Sequence, residues 1–98
     1  MLKLSKNSIN NIINSLDSNV RENIPERILK KMIVFLTNEI RRNKKIKNEK
    51  NCEARASLLL KSFSKKFKTI IRKKNIILPI FVDYFLDKIV KELEGGGV

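Results

Sequence analysis

Residues 51–74 read NCEARASLLLKSFSKKFKTIIRKK, and this stretch decides the fold class. Placed on a helix at 100° per residue, Lys61, Lys65, Lys68 and Arg72 fall within about 60° of one another. Ala56, Leu59, Leu60, Phe63, Phe67, Ile70 and Ile71 fall on the opposite side. Such a division is the pattern of an amphipathic helix and not of a strand. Asn51 suits an N-cap, Glu53 complements the dipole in the first turn, and Asn75 suits a stop. A helix from Cys52 to about Lys74 would run roughly 34 Å at the usual rise per residue. It is the third of four expected helices.

Helical periodicity extends to both sides of this stretch. Upstream, Ile9, Ile12, Ile13, Leu16 and Val20 mark one face of a first helix. Ser5 or Ser8 suits its cap, and Asp17-Ser18-Asn19 reads as its exit turn. A second helix is expected to begin near Pro25, a residue welcome at a first helical position, with Asn23 or Ile24 as the cap. Its stripe is Ile28, Met32, Leu36 and Ile40, widened by Leu29, Ile33 and Phe35. That helix is apolar on nearly every side, which points to a central position or a shared one. Downstream, Ile76-Ile77-Leu78 reads as a buried connector, because Pro79 pushes Leu78 toward an extended backbone. A fourth helix then starts at Pro79, with Val82, Leu86, Ile89 and Leu93 as its seam and Gly95 as its stop. The expected fold is all-α: a small four-helix bundle-like domain over residues 1–94, a basic loop between helices two and three, and a flexible Gly-rich tail at 95–98.

Charge is distributed unevenly. The 98 residues carry 22 Lys+Arg against 10 Asp+Glu, a net charge of +12. Between Arg41 and Lys74 stand fourteen basic residues and only two acids, Glu49 and Glu53; the rest of the chain holds eight of each sign. All of the excess therefore lies in about a third of the protein. The basic loop contributes Arg41, Arg42, Lys44, Lys45, Lys47 and Lys50, and helix three contributes Arg55, Lys61, Lys65, Lys68, Arg72 and Lys73. Lys61–Lys65 and Lys68–Arg72 are like-charge i, i+4 pairs, each costing a few tenths of a kcal/mol. A polyanion turns each such repulsion into attraction. The expected element is a rigid basic rod preceded by a mobile basic arm.

Composition excludes several functions. With no His, one Cys and three glycines confined to Gly95, Gly96 and Gly97, there is no Ser-His or Cys-His nucleophile pair. Nor is there a Cys-rich metal site or a phosphate-cradling glycine loop. No enzyme activity, cofactor, metal site or small-molecule substrate is expected. Cys52 reads as a small buried or half-buried residue of a reducing compartment; the sharper alternative is a reactive thiol whose pKa Lys50 and Arg55 depress. The start of the chain lacks the apolar core of a signal peptide, and the longest apolar run, Ile76 to Val82, is far short of a membrane span. An intracellular location, in cytoplasm or nucleus/nucleoid, follows as an expectation.

The function these residues suggest is binding of DNA or RNA through the phosphate backbone with little sequence preference. Sixteen Lys against six Arg favours point charges over the bidentate fork that reads guanine. Phe63 and Phe67 sit on the apolar stripe, where core packing is favoured over base stacking, and the single tyrosine, Tyr84, belongs to the near-neutral fourth helix. The alternative is a helical adaptor or assembly subunit whose basic face docks an acidic protein. An anionic membrane surface is a further candidate, disfavoured because so short a chain needs its phenylalanines in the core. The wide apolar arcs of helices two and four lead us to expect a homo-oligomer, or a subunit of a larger complex such as a ribonucleoprotein.

Overall fold

A computed structural model describes residues 4–95 of the chain. The described residues are all-α, with no strand, in seven helices: α1 (Lys6–Ser15), α2 (Ser18–Asn23), α3 (Glu26–Arg42), α4 (Lys44–Asn48), α5 (Cys52–Lys66), α6 (Lys68–Lys73) and α7 (Leu78–Gly95).

Three of the expected segments are therefore subdivided, each for a visible reason. The first breaks at Leu16, whose extended backbone (φ −74°, ψ 150°) carries its buried side chain into the core. The break is held by Tyr84 of α7, whose hydroxyl accepts the Asp17 N–H at 2.8 Å. Val20 consequently belongs to α2 and not to one continuous helix. Of the two candidate caps, Ser5 is the one used: its Oγ accepts the Ser8 N–H at 3.1 Å.

The second subdivision replaces the expected loop. Asn43 accepts the Lys45 and Ile46 N–H groups on its side chain, at 3.0 and 3.4 Å, and so starts the five-residue helix α4. Ile46 turns inward and is buried. The basic arm is thus anchored rather than mobile.

The third divides the long helix. Phe67 departs from helical geometry (φ −114°, ψ 30°), so the 23-residue rod becomes α5 and the six-residue α6. Neither Pro nor Gly stands there. The deviation accompanies the seating of the Phe67 ring between Phe63, at 4.9 Å, and Phe35, at 5.7 Å and edge-on.

Two helix starts differ from expectation by one residue. Pro25 is the N-cap of α3, its carbonyl accepting from Ile28 and Leu29. Leu78 is already helical, because the Ile77 carbonyl accepts the Phe81 N–H and Pro79 falls where no N–H is required. The connector before it is not uniformly buried, since Ile77 is 67% exposed. Helix α7 continues through Gly95, one residue beyond the expected stop; the rest of the expected tail lies outside the described residues.

The end of α6 is as expected. Asn75 takes φ 51°, the left-handed conformation that asparagine tolerates well. Ile76 N–H then reaches the Ile71 carbonyl at 3.0 Å and Asn75 N–H the Arg72 carbonyl at 3.4 Å, the two bonds of a Schellman closure.

The buried side chains form one continuous cluster. Helix α3 supplies Leu29, Met32, Ile33, Leu36 and Ile40, and it packs against α1, α4, α5 and α7. The most extensive contact joins α5, through Ala56, Leu59 and Phe63, to the Val82–Phe85–Leu86–Ile89 seam of α7. This packing orients α5: with that side against α7 and α3, the lysine side must face water.

Candidate nucleic-acid interface

The basic residues that sequence periodicity groups together are all exposed to water. Lys61 and Lys65 on α5, and Lys68, Arg72 and Lys73 on α6, are all exposed, as is the aliphatic Leu58 at the head of this ridge. On the other side Ala56, Leu59, Phe63 and Phe67 are buried, and Leu60, Ile70 and Ile71 are half-buried. Lys68, Thr69, Arg72 and Lys73 border a shallow, open concavity on α6. Arg42, Lys44, Lys45, Lys47 and Lys50 are exposed along α4 and its flanks. Among the described residues the ion pairs are Lys30–Glu26 and Lys91–Asp87, and neither involves residues 41–74. These ten cations therefore stand in water with no carboxylate partner within 4 Å among the described residues.

Two of the twelve candidate cations are placed differently. Arg55 is half-buried, and its guanidinium is directed at the end of α4. Its Nε donates to the Ile46 carbonyl at 3.0 Å, and its Nη2 donates to the carbonyls of Lys47, at 3.5 Å, and Glu49. A cation bonded to the last carbonyls of a helix closes that helix and offsets its negative end. Arg41 is half-buried as well, and its Nε is buried without a hydrogen-bond partner.

Three positioning residues escape a reading by charge alone. Asn43 caps α4, Ile46 pins it to the core, and Arg55 closes its far end. A signal for the first two was present: Ile46 is the one apolar residue of a basic run, and Asn43 precedes it at cap spacing. Lys66 and Lys74 are also exposed cations of the same segment.

The aromatic residues serve the core. Phe63 is fully buried and Phe67 is 7% exposed, within a chain of rings running from Phe35 through Phe67 and Phe63 to Phe81 and Phe85. Tyr84 accepts the Asp17 N–H and carries the Lys88 ammonium 5.4 Å from its ring centroid.

Cys52 is not an activated thiol. Burial first, then the proximity and negative charge of the Asp83 carboxylate and the charge of Asp87, pushes its pKa up from 9.0 to about 12. Arg55 acts in the opposite direction and is outweighed. Its Sγ also lies 3.7 Å from the Asp83 carbonyl oxygen, to which the thiol donates. Among the described residues no cluster of His, Cys, Asp or Glu is arranged to hold a metal ion, and no helix is long and apolar enough to cross a membrane. Comparisons with protein-family models, with curated proteins and with solved structures find no match, so the reading of this surface rests on the chain's own chemistry.

Proposed function

We propose that this protein binds nucleic acid through the phosphate backbone, with little sequence preference, using the exposed cations of α4 and of the α5–α6 ridge. The observation that carries the reading is the unpaired state of those cations: eleven exposed Lys and Arg side chains within residues 42–73, Lys66 included, none of them in an ion pair among the described residues. An ordinary surface intersperses the two signs, so that such a density of one sign is neutralised locally. A phosphate chain supplies the missing charge and releases condensed counterions as it docks. Lysine-rich contacts and the burial of the phenylalanines support backbone contact over base readout. Arg55 holds the arm rather than standing at the front of the contact, and Arg41 is half-buried behind it.

The scaffold in this proposal is bundle-like, with α1–α2, α3, α5–α6 and α7 as its four arms. It works within an oligomer or a ribonucleoprotein; Ile77 and Ile80, 67% and 70% exposed, are the aliphatic side chains that assembly would cover.

The test replaces Lys61, Lys65, Lys68 and Arg72 by alanine and measures binding of random-sequence DNA and RNA by fluorescence anisotropy. Alanine is the strongest helix former, so helix content holds while affinity falls by at least about tenfold. Unchanged affinity in a folded variant would reject the ridge.

A further inference from the structure

A second feature lies between α3 and the α5–α6 junction, clear of the ridge. An open groove of about 680 Å³ has an apolar floor of Val34, Phe35, Phe67 and Ile70. Lysines stand on both banks, Lys30 and Lys31 from α3 and Lys66 from the end of α5. None of Lys61, Lys65, Lys68 or Arg72 lines it. Val34 is 42% exposed although it sits in the middle of α3, so the floor meets water directly. The three lysines are exposed, and among the described residues the ion pair they make is Lys30–Glu26, solvent-exposed at 3.8 Å.

We infer that this groove docks an acidic amphipathic helix of a partner protein. Charge complementarity argues for it: cations on both banks call for negative charge on both flanks of whatever lies between them. An amphiphile with a single headgroup would answer only one bank. Groove walls of side chains offer no row of backbone donors and acceptors, so an entering peptide must satisfy its own backbone, which a helix does. The lining of α3 from Ile28 to Asn38 spans about 15 Å at helical rise, room for two to three turns of a partner. The recognition element is an apolar stripe at i, i+3, i+4 and i+7 bordered by Glu or Asp.

The experiment uses the full chain and two synthetic helical peptides with the same leucine stripe, one flanked by glutamates and one by lysines. Binding is followed by anisotropy, and the contact is mapped by amide chemical shifts. The glutamate peptide is expected to bind at least about tenfold more tightly than the lysine peptide and to shift Val34, Phe35, Thr69 and Ile70. Val34→Glu should abolish that binding. If that variant loses its helical circular dichroism, the exposed double variant Lys30→Glu/Lys31→Glu serves instead and should invert the preference toward the lysine peptide. Equal binding of the two peptides would overturn the inference, as would shifts confined to the ridge. So would tighter binding of dodecanoate than of the glutamate peptide, or self-association that occludes Val34 at the concentrations used.

Discussion

The Nε of Arg55 donates to the carbonyl of Ile46 at 3.0 Å, and through this bond the first turn of α5 holds the far end of the basic arm. Ile46 meanwhile buries its side chain in the core, so one residue of α4 is held through both its carbonyl and its side chain. A five-residue helix is far too short to persist alone. Its order, and with it the placement of Lys44, Lys45 and Lys47, derives from these two contacts and the Asn43 cap.

Arg55→Ala should therefore release the arm. Three carbonyls lose their donor, at a cost of about 1–2 kcal/mol in this partly buried setting. Hydrogen exchange should show lost protection at residues 44–48 with α5 and α7 unaffected. Arg55→Lys keeps the charge but not the fork, and should lie between the two. Unchanged protection in Arg55→Ala would show that Ile46 and the Asn43 cap hold α4 without it.

Phe67 should be as costly to truncate as a central core residue, despite its place in a basic run. Its 7% exposure and its two ring contacts put Phe67→Ala at about 3 kcal/mol, a fall in Tm of about 12 °C or more for a chain of this size. Leu58→Ala, at a side chain 43% exposed, should cost under about 0.5 kcal/mol. Thermal unfolding of the two variants side by side checks the orientation of α5.

The thiol of Cys52 should be slow to alkylate in the folded protein. With its pKa raised from 9.0 to about 12, the thiolate fraction at pH 8 is lower by about two to three orders of magnitude than in the unfolded chain. Iodoacetamide labelling with and without denaturant measures this ratio. Because the thiol's pKa is raised on folding, the folded state retains a proton that the unfolded state loses above about pH 9. The thiol's contribution is complete below that pH and is lost as pH climbs toward about 12. Cys52→Ala should accordingly show a shallower alkaline loss of stability than the parent.

Much of this architecture is legible in the order of residues. The stripe of α3, the seam of α7 and the two-sided character of 52–74 follow from spacing alone: Met32, Leu36, Val82 and Leu86 are buried where periodicity places them. The breaks are less legible because tertiary contacts make them. Phe67 leaves helical geometry beside Phe35, a partner 32 positions away that no local pattern reveals. The kink at Leu16–Asp17 leans on Tyr84 in the last helix. Helix α4 is shorter than two turns and leaves no periodic trace, only a cap residue and one isolated isoleucine. For the candidate site, residue type identifies a cation but not its direction. Arg55 stands off the Lys61 ridge by position, yet nothing local shows that its guanidinium meets the carbonyls ending α4 while Lys61 meets water. Ile77 likewise reads as buried and stands exposed, because the turn at Asn75 delivers Ile76 rather than Ile77 to the core.

The most direct test of phosphate binding is the salt dependence of affinity for random-sequence duplex and single-stranded oligonucleotides. Binding should weaken steeply between about 50 and 200 mM salt, as a straight line in log K against log salt whose slope corresponds to several released counterions. The line should flatten when Lys61, Lys65, Lys68 and Arg72 are replaced by alanine. Absence of binding to every oligonucleotide at about 50 mM salt, or an affinity indifferent to salt, would contradict a cationic surface built to hold phosphates.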